Sequence, residues 1–392
     1  MSNQCAIIGV GMTPFGKFPE MSVRELAQLA ITAALGDAGI APAQVDQVYF
    51  ANAVAGLITG QEMVRGQAAL RFAGLAGKPI INVENACASG STAFWLACNA
   101  IRSGQAQVAI AMGAERMTHA DKTLSLRALA TAVDLEEKQP EHMGKGSGSV
   151  FMDHYAEKTR KYMAATGATR EDIAQIVVKS RHAASLNPVA QFRNETTVEE
   201  VLGSRVISDP LTLQMCSSIG DGAAAVVLCS PEFARKHGVA APVWVGASVL
   251  LSGDPEGQME HSAIRATKAA YEQAGVSPTD VHVVELHDAS APAELMYYET
   301  LGLCPSGEGP ALLRSGATGL NGKVSVNPSG GLLSKGHPIA ATGAAQIVEL
   351  TQQLRGQSGP RQREGARVAL AENAGGSVGQ DGAAAVATIL HT

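Results

Sequence analysis

The chain repeats itself, and the repeat limits the folds open to it. Residues 24–50 read RELAQLAITAALGDAGIAPAQVDQVYF, and residues 262–286 read SAIRATKAAYEQAGVSPTDVHVVEL. In both, an amphipathic helix ends in Ala-Gly-Ile or Ala-Gly-Val, a polar turn carries a proline, and an alternating strand follows. Gly39 and Gly275 suit helix C-termini, and Pro42 and Pro278 suit the start of the next turn. The offset is 236 residues, and it sets Ala51 and Asn52 in register with His287 and Asp288.

A second echo follows the first. Cys87 leads into a small-residue helical run, Thr92 to Ile101, and then a short apolar strand at residues 108–113. His337 leads into a similar run, Ile339 to Leu354, and then a strand at residues 367–373. Each half therefore reads strand, helix, strand, helix, strand. Helices alternating with short apolar strands predict an α/β fold whose parallel or mixed sheets are covered on both faces. Two such halves are expected to stack, with matching loops meeting at one end.

Residues 116 to about 200 have another texture, polar and rich in Met, Lys, His and Gly. They read as an inserted loop region with helices near 153–165 and 170–185. Long insertions on α/β scaffolds usually shape substrate sites, although a surface excursion without a role fits the same residues. The scaffold resumes near Asp209, with a buried strand over Ile219 to Cys229. The expected division is a first half of residues 1–115 and 206–240, an insertion of 116–205, and a second half of 241–392.

Two short segments carry the chemistry. One is Asn85-Ala86-Cys87-Ala88-Ser89-Gly90-Ser91; the other is Gly330-Gly331-Leu332-Leu333-Ser334-Lys335-Gly336-His337-Pro338. A thiol at the head of a helix sits in the positive end of the macrodipole, which favours thiolate. A histidine folded against it would complete a nucleophile. The pairing points to acyl transfer through a thioester on Cys87. Taken singly, Cys87 suits a buried core thiol, His337 a loop histidine beside a helix, and His287 a satisfied core histidine.

The rest of the composition excludes several classes. Net charge is −6, which offers nothing to nucleic acid or an anionic membrane, and no apolar stretch reaches spanning length. The six cysteines include no Cys-x-x-Cys pair, so a structural zinc site is not expected. Neither a secretory signal nor a Ser-Lys-Leu type of address is evident, and the chain reads as a reduced cytoplasmic protein.

These residues resemble the thiolase superfamily, most closely the sterol-carrier-protein-2 type and acetyl-CoA acetyltransferase-like members. The markers are Asn85 to Gly90, Asp221-Gly222-Ala223-Ala224, Glu285-Leu286-His287-Asp288, Asn327-Pro328-Ser329-Gly330-Gly331 and Gly336-His337-Pro338. The resemblance implies two stacked βαβαβαββ halves in five layers, αβαβα, with an inserted loop domain. It implies a homodimer, and coenzyme A as cosubstrate with no bound cofactor and no metal. By resemblance, Cys87 carries the acyl group and His337 accepts its proton. His287 completes an oxyanion site, the backbone N–H of Gly375 serves a second one with that of Cys87, and Ser334 lies on the coenzyme A side. The reaction implied is thiolysis of a 3-oxoacyl-CoA, or the reverse Claisen condensation.

The sequence departs from the family in two places. The Cys-x-Gly segment that supplies an acid/base thiol reads Asn373-Ala374-Gly375, and His-Asp-Cys-Phe reads His287-Asp288-Ala289-Ser290. Asparagine and alanine cannot exchange that proton. Three accounts stay open: His287 or His337 protonates the enolate, another group such as Asp288 or one on the insertion does, or the carbon–carbon chemistry is altered. Similar departures mark thiolase-like proteins that work with a small zinc-binding OB-fold subunit. Among them are thiolases for aryl groups such as benzoylsuccinyl-CoA, and aldolases that have lost the cysteine and histidine. Retention of Cys87 and His337 favours acyl transfer over aldol cleavage. Met112, Met117, Met143, Met152 and Met163 could line a bulky acyl pocket or fill core. Basic residues between 116 and 205 could hold coenzyme A phosphates or form a solvated face.

Overall fold

The computed structural model describes residues 4–138, 140 and 143–392. The first half runs β1 (Ala6–Met12), α1 (Val23–Ala38), β2 (Gln47–Ala51), α2 (Arg65–Ala69), β3 (Ile80–Val83), α3 (Ser89–Arg102) and β4 (Val108–Glu115). Helices α4 (Val150–Thr166) and α5 (Arg170–Ser185) come next, and β5 (Gly222–Cys229) closes the half. The second half runs β6 (Val243–Ser252), α6 (Ser262–Ala274), β7 (Val283–Glu285), α7 (Ala291–Thr300), β8 (Ser325–Val326), α8 (Ile339–Leu354), β9 (Val368–Gly375) and β10 (Ala384–His391). Both halves are βαβαβαββ.

The strand order is β8-β7-β9-β10-β6-β1-β5-β4-β2-β3. In each half four strands point the same way, and the fifth, β5 or β10, runs antiparallel between two of them. Among the described residues the half-sheets meet through two antiparallel pairs, Ala6 with Trp244 and Ile7 with Val243, and a bond from the Val245 N–H to the Cys5 carbonyl. This narrow join lets the halves fold face to face.

The repeat seen in the sequence has a local cause in each half. Ser22 and Glu25 form a capping box at the start of α1, and Gly39 closes it at φ 65°. Gly275 closes α6 in the same left-handed conformation, φ 67°. The proline turns that follow are short 3₁₀ helices, Pro42–Gln44 and Pro278–Asp280.

Helices α3 and α8 form the middle layer. Phe94, Ala97 and Ile101 of α3 and Ala341, Ala345 and Val348 of α8 share one core with Ala109 and Ala111 of β4 and Ala369 and Ala371 of β9. Ser89 to Ile101, apart from the half-buried Trp95, Leu96 and Asn99, and nearly all of Ile339 to Leu354 are buried, as sheets on both sides require. Two polar side chains on α8 reach partners: Gln346 Nε2 donates to the Glu372 carbonyl at 2.9 Å, and Glu349 meets Arg361 at 2.9 Å. The two helices touch at backbone distance. A Cβ on Gly90 would lie 2.6 Å from the Ala340 carbonyl oxygen, and one on Gly343 would lie 2.4 Å from the Ser91 nitrogen. Glycine is required there because any side chain would push the helices apart.

Helix α1 covers the outer face of the first half-sheet, and α6 with α7 cover that of the second. The insertion packs on the second half: Ala156 of α4 and Ile173, Ile176 and Val177 of α5 share a core with Leu295 and Tyr298 of α7. Lys179 on α5 pairs with Glu294 on α7 at 2.6 Å. The helices read at 153–165 and 170–185 are present, the first with three extra residues at its start.

Candidate active site

The loop after β3 presents the thiol. Asn85 leads into a 3₁₀ turn, Ala86–Ala88, that feeds directly into α3. Ala86 sits at φ 48°, a left-handed conformation that costs a non-glycine residue roughly 1–3 kcal/mol. Neighbouring bonds hold it: the Ala86 N–H donates to Glu84 at 2.6 Å, and the Ser89 hydroxyl donates to the Ala86 carbonyl at 2.6 Å. The sharp turn holds Cys87 half-buried, between the half-buried Ala86 and the buried Ala88.

The loop before α8 presents His337. Its glycines take conformations other residues avoid, with φ 99° at Gly330, 60° at Gly331 and 115° at Gly336. Between them, Gly331–Lys335 makes a single wide helical turn. The Asp288 carboxylate caps that turn, accepting from the Leu332 N–H at 2.7 Å. A Cβ on Gly331 would fall 2.2 Å from an Asp288 oxygen. A fully buried Lys335–Glu285 pair at 3.2 Å anchors the other side, and Glu285 also accepts from the Ser329 hydroxyl at 2.7 Å.

Three groups converge. The Cys87 sulfur and one ring nitrogen each from His287 and His337 lie within 4.8 Å of one another. The two rings meet edge to face, 5.3 Å between centroids at 71°. Cys87 and His337 stand at the N-termini of the two equivalent middle helices, so each half contributes one of them. The His337 Nδ1 lies 2.7 Å from the Thr342 hydroxyl, which itself donates to the Pro338 carbonyl at 3.1 Å. With the one Thr342 proton given to the Pro338 carbonyl, His337 Nδ1 is the donor and Nε2 keeps its lone pair. The Nε2 atoms of His337 and His287 are both buried without a hydrogen-bond partner.

The electrostatics correct one expectation. The position of Cys87 at a helix start predicts a thiol biased toward thiolate. Burial instead pushes it up to about 12, and the Glu115 and Glu84 carboxylates push the same way. The N–H groups of Cys87 and Gly376 oppose this and do not outweigh it. Lost hydration of the anion outweighs the ends of two backbone dipoles. Burial holds His337 well below its usual range, helped by His287 and Lys335, and burial takes His287 down to about 4. At neutral pH the centre is a thiol facing two neutral imidazoles.

Other sequence candidates fall into place around it. Gly375 ends β9 with its Cα against Asn85 and Ala88, and the adjacent Gly376 N–H is the one that reaches the sulfur. Gly376 escaped the sequence reading, although the Gly375-Gly376 pair was a visible signal. Ser334 is fully buried and sits 2.8 Å from the Ser180 hydroxyl of α5, so it ties the insertion to the loop and does not face a coenzyme. Asp288 is committed to the loop backbone. Asn373 is buried, accepts from the Ser91 hydroxyl at 3.0 Å, and keeps its Nδ2 without a partner. Of the five methionines, Met117 joins Val54, Ile58, Ala128 and Ile339 in the apolar cluster that touches Cys87. Met112 fills the core on the α1 side, and Met163 packs in that of the second half. Arg170 is bound to Asp209 and Lys179 to Glu294, so neither is a free basic face.

Thr342 and Glu372 carried no sequence signal. Glu372 precedes Asn373 on β9, accepts from the His287 backbone N–H at 3.2 Å, and meets the Tyr297 hydroxyl. Burial raises its carboxyl to about 8. The folded protein therefore keeps a proton at pH 7 that the unfolded chain releases near pH 4.3. Stability from this group is complete below the unfolded value and is lost as pH climbs toward 8. The expected result is that Glu372→Gln gains on the parent protein between pH 5 and 8, on the order of 3–5 kcal/mol in total, at about 1.4 kcal/mol per pH unit. Urea unfolding at three pH values checks it, and parallel stability curves would contradict it.

Fold and site together define an α/β protein with a duplicated core and a thiol–imidazole centre. The chain belongs to the thiolase family: the model of the thiolase N-terminal domain matches residues 5–232, and that of the thiolase C-terminal domain-like unit matches 252–391. It is 42% identical over 379 residues to the benzoylsuccinyl-CoA thiolase subunit BbsB of Thauera aromatica, covering 94% of each chain. It is 39% identical to the acetyl-CoA acetyltransferase of Methanothermobacter thermautotrophicus, covering 95% of this chain and 97% of that one. Sterol carrier protein 2 of Bos taurus is 37% identical, covering 96% of this chain and 70% of that one. Among solved structures, the Ltp2-ChsH2(DUF35) aldolase superposes with TM-score 0.79 at 24% identity, covering 100% of this chain and 98% of that one. Human mitochondrial 3-ketoacyl-CoA thiolase in complex with CoA superposes with TM-score 0.73 at 19% identity, covering 99% and 98%. Both structures share the fold.

Proposed function

We propose that this thiolase-family acyltransferase moves an acyl group between coenzyme A and Cys87, cleaving a 3-oxoacyl-CoA or joining two thioesters in reverse. The observation that carries this reading is the convergence of one sulfur and two ring nitrogens within 4.8 Å, with both histidine Nε2 atoms unpartnered. His337 Nε2 takes the thiol proton as the sulfur attacks the 3-oxo carbon. The carbon–carbon bond breaks, and the electron pair passes into the enolate of the departing thioester. The imidazolium of His337, or His287 charged in its place, returns a proton to that enolate. This fills the gap left by Asn373 and Ala289, which have none to give. Coenzyme A then attacks the Cys87 thioester, with His337 again taking a thiol proton.

The apolar cluster of Met117, Val54, Ile58 and Ala128 beside the sulfur suits a bulky acyl group. The Thauera relative, named for benzoylsuccinyl-CoA, supports an aryl or branched one. That relative is named a subunit, and a chain of the Ltp2-ChsH2(DUF35) aldolase has the same fold. Both support a second reading, in which this chain works with a small zinc-binding OB-fold partner. The edge strand β3, partly exposed beside Met63 and Val64, supports a homodimer built on that edge. A cytoplasmic location, coenzyme A as the one cosubstrate and the division at 116–205 and 241 complete the reading. Incubating the protein with acetoacetyl-CoA or an aryl 3-oxoacyl-CoA plus coenzyme A tests it. Shortened thioesters and an acyl adduct on the tryptic peptide of Cys87 are expected, and intact substrate with an unmodified peptide would sink it.

A further inference from the structure

We propose that Cys87, His287 and His337 also form a three-ligand site for a soft divalent cation, Zn²⁺ foremost, whose binding closes the thiol reversibly. Both donor types are zinc ligands, one thiolate and two imidazoles, with a fourth position left for water as in three-ligand zinc sites. The three ligand atoms already lie within 4.8 Å of one another. Zn–S near 2.3 Å and Zn–N near 2.1 Å place tetrahedral ligands roughly 3.5 Å apart. The ligand atoms therefore close by at most about 1.3 Å, from the 4.8 Å bound to roughly 3.5 Å.

Two features make the site built for such an ion. Both histidine Nε2 atoms are buried and lack any hydrogen-bond partner, so metal binding breaks no existing bond. The rings meet edge to face, at 71° and 5.3 Å between centroids, so they are not stacked, and one nitrogen of each lies within 4.8 Å of the sulfur. His337 is also held as metal-binding histidines are held: Nδ1 is fixed by Thr342 at 2.7 Å, which leaves the Nε2 lone pair free. The step balances without a redox partner. The Cys87 S–H bond breaks, its proton passes to the buffer, the sulfur–metal bond forms, and a metal-bound water is released for each protein ligand gained. Cation and acyl group compete for one sulfur, so metal occupancy and turnover exclude each other.

Cobalt titration of the metal-stripped protein tests this. One Co²⁺ per chain is expected, with a thiolate-to-metal charge-transfer band and the intense visible bands of a four-coordinate ion. Cys87→Ser should lose the charge-transfer band, and His287→Ala and His337→Ala should lose the four-coordinate spectrum. Cys216→Ser should keep both. Thr342→Val should weaken binding by about 10- to 100-fold, as loss of an outer partner does. Zn²⁺ should displace Co²⁺ and stop turnover, and a chelator should restore it. A weak six-coordinate spectrum shared by the parent and all variants, or no binding at all, would overturn the proposal. It rests on the geometry of the site and not on turnover. An inactive chain that binds cobalt would sink the acyl-transfer reading alone, and an active one indifferent to metal would sink this one alone.

Discussion

Cys87→Ala should abolish thiolysis, lowering kcat/KM by at least about 10⁴-fold, with the fold unchanged. The size follows from the chemistry. Without the sulfur no covalent acyl intermediate forms, and carbon–carbon cleavage by direct attack of coenzyme A lacks a positioned nucleophile. Ten-thousandfold corresponds to about 5.5 kcal/mol of barrier, at roughly 1.4 per tenfold. Alanine removes only a thiol from a partly exposed position, so stability should move little. Intact mass of the parent after brief exposure to substrate should show one added acyl group, and that of the variant none. Turnover retained within tenfold of the parent would remove Cys87 from the reaction.

His337→Gln comes second, with an expected loss of about 10³-fold in kcat. A general base in this role contributes typically 10²–10⁴-fold. The electrostatics sharpen the test. The thiol sits near 12, and His337 is held well below its usual value, so the resting pair is neutral and the proton moves only during attack. The pH profile of the parent should then carry no break from the Cys87–His337 pair between about pH 6 and 9, and any break near 8 should vanish in Glu372→Gln. The free protein should react slowly with iodoacetamide near neutrality, unlike a preformed thiolate. Thr342→Val leaves the ring in place and removes the fixed tautomer, so a loss of only about tenfold in kcat, with KM unchanged, is expected. Rapid alkylation at pH 7, or a bell centred near pH 6.5, would show an ion pair instead.

Much of the architecture could be read from local pattern. Helix α8 matches its expected bounds, Ile339–Leu354, because a small-residue run between Pro338 and the polar Gln352 and Gln353 has clear limits. The repeat around Gly39 and Gly275 was legible because left-handed helix ends demand glycine, and both halves pay attention to the same steric rule. What failed had a common physical origin. The state of the Cys87 thiol depends on how much water the folded chain removes, and no local spacing encodes that. Thr342 supports His337 from the first turn of α8, and Glu372 faces away from Asn373 because strand neighbours alternate, so neither stood out. Ser334 was read as facing a coenzyme; it is spent on holding α5. The docking of α4 and α5 on the second half, through Ala156 and Ile176, joins residues that lie far apart in the chain.

The glycine contact between α3 and α8 has a consequence for how substrate is admitted. With Gly90 and Gly343 seated backbone on backbone, the halves form a welded seam and have no room to swing as jaws. Any hinge that parted them would also pull the sulfur on one side from the imidazole on the other. Substrate must therefore reach the centre without the halves parting, so the spacing of sulfur and imidazole is set by the seam.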